Sequence, residues 1–272
     1  MLTAAQLREY QESGYTISRN LFSKEETDQL YASAIADNSM QTHGIDLNDQ
    51  SGKKTRLTLW YTPTDDIYGL TTRSKRMVGA VAQLLGNSAP VCHFHTKLMQ
   101  KQPKTGGAWE WHQDYGYWYK NGFLYPDQMI SVMVALTEAT IENGCLQVIP
   151  GSHKMGRVEH GFSGEQVGAD QKFVDESLKN SKLVYVELKP GDTLFFHPNL
   201  LHRSEANLSD HPRWSLISAF NLQTNKPFNE PHTSSYTPIK EVDDSAVLNW
   251  RKYANDLQKK DFLVKDEDLA LK

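Results

Sequence analysis

The stretch Trp109-Glu110-Trp111-His112-Gln113-Asp114-Tyr115-Gly116-Tyr117-Trp118 constrains this chain more than any other. It is aromatic-rich, has no proline and no helical spacing, so it reads as an extended strand. Side chains on a strand alternate between faces, which puts Glu110, His112, Asp114, Gly116 and Trp118 together. A neutral imidazole beside a carboxylate offers two ligands to a hard-to-borderline metal ion. Two histidines and one carboxylate, with open positions, form the ligand pattern of non-haem Fe(II) sites. One histidine is still missing and has to come from elsewhere in the chain.

The composition permits such a centre and excludes several other functions. The chain has 272 residues, 39% of them hydrophobic and 23% charged, enough for one large core. A formal charge of −4 argues against a nucleic-acid partner held by a basic field. Cys92 and Cys145 form no CxxC and no disulfide framework, which fits a reducing, cytoplasmic setting. The N-terminus carries no basic-then-apolar leader, and no apolar run is long enough for a bilayer, so no membrane partner is expected.

Thr3 to Gln6 and Ser23 to Glu26 read as capping boxes opening two helices, with a strand over Tyr15 to Leu21 between them. Residues 40–56 are polar and read as a loop. Arg56 to Tyr61 reads as a strand that either borders the site or lies at the surface. A helix is expected from Arg73 to Leu85, and strands over Pro90–Gln100, Met129–Leu136, Cys145–Ile149, Leu183–Leu188, Thr193–His197 and Arg213–Leu222. Met129–Leu136 is apolar except for Ser131, as expected of a strand buried on both faces. Residues 153–182 read as a long polar connection without clear period, which in a compact domain is usually functional or mobile. A C-terminal helix is expected over 245–257. The pair Lys259-Lys260 reads as solvated. Helices first, then many short strands between Gly/Pro turns, suggest one mainly β domain over 1–272 with flanking helices. Its parts are a helical flank to about residue 90, a β core to about 222 and a C-terminal extension. Antiparallel jelly rolls of the cupin kind, double-stranded β-helices, have this pattern.

The missing ligand is a histidine late in the chain: His197, His202, His211 or His232. His202 alone is followed by Ser204 and Arg213. At this point the pattern becomes specific. His112-Gln113-Asp114, then Glu142-Asn143-Gly144-Cys145-Leu146 with Pro150-Gly151-Ser152-His153, then Pro190-Gly191-Asp192 with Phe195-Phe196-His197-Pro198, then His202-x-Ser204 and Arg213, resemble the phytanoyl-CoA dioxygenase family. The resemblance runs from residue 2 to about 222. It implies an Fe(II)- and 2-oxoglutarate-dependent oxygenase on a double-stranded β-helix, with His112, Asp114 and His202 as iron ligands. It further implies that Arg213 grips the distal carboxylate of 2-oxoglutarate, with Ser204 near the same group and Trp118 beside the co-substrate. Lys97 and Gln100 stand where members place polar co-substrate contacts.

The implied chemistry suits these residue types. Three ligands on one face of an octahedral ion leave room for the keto-acid end of 2-oxoglutarate and for O2. A buried terminal carboxylate calls for a permanent, planar, two-pronged cation, which is arginine. An aspartate at 114 keeps the carboxylate ligand, which favours hydroxylation of a small-molecule C–H bond over halogenation.

Other readings compete. A single strand histidine is more often structural than a ligand, and His197 before Pro198 reads as structural. His93 and His95 form an HxH pair on one strand face that suits a zinc-type arrangement but reads rather as surface or behind the site. A cupin-like zinc or manganese enzyme without a keto acid would leave Arg213 unemployed, and a non-catalytic jelly-roll binding protein gives no reason for an HxD facing His202. The substrate and the oligomeric state, monomer or homodimer, are open at this level.

Overall fold

Strand β6 (Met129–Ala135) is buried along its whole length because it is covered on both sides. In a computed structural model, which describes residues 1–163, 165–229, 233–251 and 260–263, its even and odd positions face different cores. Ile130, Val132 and Val134 point to helices, whereas Met133 and Ala135 point into a β sandwich.

Among the described residues there are thirteen strands, eleven of them in the sandwich. β1 (Tyr15–Ser18), β2 (Ile45–Asn48), β3 (Lys54–Trp60) and β4 (Val91–Lys101) come before the HxD segment. β5 (Trp109–His112) carries its histidine, and β6 follows. The rest are β7 (Leu146–Val148), β8 (His160–Ser163), β9 (Gln166–Ala169), β10 (Val184–Val186), β11 (Thr193–Phe196), β12 (His202–Ser204) and β13 (Arg213–Leu222). A seven-stranded sheet runs β1-β11-β6-β13-β4-β3-β2, and a four-stranded sheet runs β10-β7-β12-β5. β8 and β9 form a separate hairpin. The two large sheets face each other across Leu57, Met99, Met133, Ile217 and Phe196 from one and Trp109, Leu146, Val148 and Val186 from the other. This antiparallel two-layer arrangement is the expected jelly roll.

Helices cover the outer face of the large sheet. α1 (Ala4–Ser13) and α2 (Lys24–Ala36) open with the two capping boxes read from the sequence, both formed with reciprocal bonds. Short α3 (Ser39–Thr42) and α4 (Ile67–Thr72) lead into α5 (Lys75–Leu84), whose Met77, Val78 and Val81 pack with Leu98, Leu216 and Phe220. Phe220 has no exposed surface. Truncating Phe220→Ala leaves a cavity between sheet and helices and should lower unfolding stability by about 3–5 kcal/mol in a urea titration. The other α-helices among the described residues are α6 (Asp114–Trp118), α7 (Gln171–Asn180) and α8 (Ala246–Asn249). Among the described residues, no helix is long and apolar enough to cross a membrane.

Four expectations need correction. Residues 40–56 are not a loop: they include α3, β2 and the start of β3, joined by a turn in which Asp49 accepts from the Ser51 and Lys53 backbone amides. Their polar residues conceal the alternating Ile45 and Leu47. Residues 153–182 hold the β8–β9 hairpin and α7, whose Val174 packs with Trp111, Ile149 and Leu201 on the outside of the small sheet. The N-terminal flank, expected to be helical apart from strands at Tyr15–Leu21 and Arg56–Tyr61, gives three strands, β1, β2 and β3, to the large sheet. Of the C-terminal helix expected over 245–257, only Ala246–Asn249 is helical in the described part, and residues 252–257 lie outside the described residues.

Candidate metal centre

Strand β5 ends at His112, which lies opposite His202 on β12. The two imidazole rings stand 4.0 Å apart between centroids. Each ring is oriented by its own chain: His112 Nδ1–H donates to the Glu110 carbonyl and His202 Nδ1–H to the Leu200 carbonyl, both at 2.8 Å. That fixes both tautomers and leaves both Nε2 lone pairs free for a metal. Asp114 Oδ1 lies 3.7 Å from His112 Nε2 and 3.9 Å from His202 Nε2. All three side chains are buried, and among the described residues theirs is the cluster whose ligand atoms lie close enough together for one ion.

The electrostatics keep this trio in its ligating state. Burial pushes His112 well below the usual imidazole range, and the neighbouring His202 adds to the effect. Burial also lowers His202, against the pull of Asp114. Burial alone would raise Asp114, yet Lys97, His202 and the Ser131 hydroxyl more than offset it and hold the carboxyl below its ordinary value. Two neutral imidazoles and one carboxylate are the forms a divalent metal needs.

The aspartate is not on the strand that the sequence suggests. Gln113 is still extended but caps α6, which begins at Asp114, so the strand expected over 109–118 pairs only as far as His112. Tertiary contacts overrule the β propensity of the aromatic residues here. The Gln113 side chain donates to the Gly156 and Asn199 carbonyls and accepts from the Val158 amide, and the Tyr115 amide donates to the Pro198 carbonyl. Gly116 lets the His160 ring sit 2.3 Å from where a Cβ would be. Trp118 still reaches the pocket before the ligands, beside Phe94 and His95. A spacing of four is one turn of a helix as well as an even step on a strand, so Asp114 and Trp118 share a side either way.

Irregular pairing also decides the remaining wall. The β5–β12 register shifts between His202 and Ser204, so Trp109 lines the site with His112 in place of the expected Glu110. A second shift, opposite Ala219/Phe220, gives β4 an extra residue, and both Phe94 and His95 face the pocket. His93 turns the other way, donating to the Tyr61 carbonyl and accepting from the Thr96 hydroxyl. Neither histidine is at the surface. Leu57, Leu59 and Tyr61 line the pocket, so the strand read over Arg56–Tyr61 borders the site.

Arg213 and Ser204 lie in an adjoining cavity with Lys97, Met99, His112 and His202. Arg213 is buried, and burial pushes its guanidinium down to about 10. Nη1 donates to the Gly144 carbonyl, but Nε and the nearby Ser215 hydroxyl find no hydrogen-bond partner among the described residues. A buried cation left partly unsatisfied beside a metal cluster is built for an anion. Lys97 lines both this cavity and the pocket before the ligands. Gln100 does not join them: it points to the opposite face of β4, into a groove with Asp46, Arg56 and Lys104. Strand parity excludes it, since Lys97 and Gln100 are three apart. His197 is occupied elsewhere, donating to Asp127 and accepting from the Asn199 amide, and His211 is exposed. His232 lies outside the described residues.

Ser131 is a residue the sequence reading passed over as a site member. Its hydroxyl donates to Asp114 Oδ2, leaving Oδ1 toward the histidines. Its signal was being the one polar side chain in an otherwise apolar strand. Ser131→Ala should weaken Fe(II) binding by roughly 10–100-fold, measured by anaerobic metal titration, with the fold kept.

The phytanoyl-CoA dioxygenase (PhyH) family matches residues 10–215. L-proline trans-4-hydroxylase of Streptomyces griseoviridis is 30% identical over 181 residues, which are 60% of this chain and 66% of that protein. Phytanoyl-CoA dioxygenase of Arabidopsis thaliana is 34% identical over 152 residues, 55% of this chain and 50% of that one. The chain thus spans about half to two thirds of the length of these curated relatives. Among solved structures, EctD from S. alaskensis in its apoform superposes with a TM-score of 0.71 at 21% identity, over 89% of this chain and 88% of that one. That likeness shows the fold. The matched residues take in His112, Asp114, His202 and Arg213, and the chain belongs to the phytanoyl-CoA dioxygenase family.

Proposed function

We propose that the protein is an Fe(II)- and 2-oxoglutarate-dependent oxygenase that hydroxylates an unactivated C–H bond of a small molecule in the cytoplasm. The observation that carries this is the buried His112–Asp114–His202 cluster beside the incompletely partnered Arg213. The donor set fits iron: two neutral imidazole nitrogens and a carboxylate on one side, with the other positions facing a cavity. When bound, iron with 2-oxoglutarate and O2 supplies the oxidant for hydroxylation, releasing succinate and carbon dioxide.

The chain's own residues do the rest. Arg213 holds the distal carboxylate of 2-oxoglutarate, with Ser204 in the same cavity. Lys97, common to both cavities, balances negative charge between co-substrate and ligands. Trp118 and Trp109 exclude water from the metal's open side and leave an apolar wall for the substrate. The free, buried Cys92 and Cys145 support a reducing compartment. Residues from the first ninety and from the C-terminal part line the same pocket, which supports one domain. A zinc or manganese enzyme without a keto acid would give Arg213 nothing to hold.

The test is to add Fe(II) and 2-oxoglutarate anaerobically and record the visible charge-transfer band. A band that requires both additions, followed by 2-oxoglutarate consumption in air, supports the proposal. No band and no consumption with any substrate would count decisively against it.

A further inference from the structure

Residues 260–263 lie beyond the part of the chain matched by the family, yet they reach the wall of the pocket in front of the metal ligands. β2 pairs with β3 only as far as Leu57. The open edge beyond is taken by the C-terminal segment: Phe262 bridges to Trp60, and the Leu263 amide donates to the Leu59 carbonyl at 2.8 Å.

Each preceding residue anchors the segment differently. Lys260, expected to be solvated, is fully buried: its Nζ lies 2.8 Å from Asp66 and 3.8 Å from the Trp60 ring centroid. An ammonium buried this way needs both an anion and an aromatic face. Asp261 accepts from the Tyr61 and Thr62 amides and from the Thr62 hydroxyl. Phe262 stacks on His43 with ring centroids 4.0 Å apart. Held at three points, the chain delivers Leu263 into the pocket wall next to Leu57 and Leu59, with Ile45 and Leu47 from β2. His112 and Asp114 line the same pocket.

We propose that Leu263, positioned by the Lys260–Phe262 anchor, is a specificity-determining residue of the substrate pocket, and that it meets a compact aliphatic part of the substrate. This rests on the oxygenase reading. Five aliphatic side chains on one wall reward an aliphatic group and offer a polar one no partner. Leu263 is what this segment adds to that wall, so the size of residue 263 sets the length of the group admitted.

The experiment compares the full-length wild type with Asp261→Ala, Leu263→Ala and Leu263→Phe. Backbone hydrogen exchange at residue 263 needs no turnover. Protection is expected in the wild type, with exchange at least about tenfold faster in Asp261→Ala. An unprotected Leu263 amide in the wild type overturns the inference. Protein loaded anaerobically with Fe(II) and 2-oxoglutarate is then titrated with straight-chain alkanoates, butanoate through octanoate, and perturbation of the absorption band reports binding. Leu263→Ala should shift the preference to longer chains and Leu263→Phe to shorter ones, by roughly tenfold between neighbouring lengths. Identical preferences in all three proteins, or no response to any alkanoate while the band is present, overturn the inference but not the oxygenase. Absence of the band in the wild type defeats the oxygenase and the inference together.

Discussion

Asp114→Ala should abolish turnover and weaken Fe(II) binding by more than the roughly 10–100-fold that loss of a group behind a ligand costs. The carboxylate is the one anionic group in the cluster, and Oδ1 lies 3.7 and 3.9 Å from the two Nε2 atoms. Its removal leaves two neutral imidazoles, which hold a divalent ion poorly. The variant should still fold. In the metal-free protein the desolvation of the Asp114 carboxylate is more than offset by Lys97, His202 and the Ser131 hydroxyl, so losing it costs some stability without removing any of the core. Anaerobic metal titration alongside urea unfolding separates the two effects. Wild-type metal affinity in the variant would show that the ion sits elsewhere.

Arg213→Ala should raise the dissociation constant of 2-oxoglutarate by roughly tenfold or more, while Fe(II) affinity stays at the wild-type level. A charged hydrogen-bonded contact of this kind contributes about 1.5–3 kcal/mol. The guanidinium is buried and already spends Nη1 on the Gly144 carbonyl, which fixes the plane of the fork. Arg213→Lys should recover only part of the loss, because an ammonium cannot present two parallel donors. Calorimetric titration of 2-oxoglutarate into anaerobic Fe(II)-protein measures both variants. An unchanged constant in Arg213→Ala would place the carboxylate clamp somewhere else.

The two-sided burial of β6 and both capping boxes were legible because each depends on short-range pattern, whereas the choice of His202 to join His112 and Asp114 came from the family resemblance, and the structure brings these three side chains together. What escaped depends on contacts between distant segments. The strand after His112 is cut short by Gln113, whose side chain is tied to residues 156, 158 and 199, and no local pattern announces that. The parity argument fails wherever one strand has an extra residue: Trp109 replaces Glu110 at the site, and Phe94 joins His95. The same argument, applied across Lys97 and Gln100, would have excluded Gln100. β2 was hidden by its polar surroundings, although its alternation was present. Lys260 shows the limit of reading charge as exposure, since Asp66, Trp60 and Tyr68 come from far earlier in the chain.

The most direct measurement is a crystal structure of the anaerobic protein soaked with manganese(II) and 2-oxoglutarate, with anomalous scattering locating the metal. One peak is expected, within bonding distance of His112 Nε2, Asp114 Oδ1 and His202 Nε2, with the keto acid running from it to Arg213. A peak at another histidine pair, or none at these three side chains, would contradict the metal centre on which the proposed oxygenase depends.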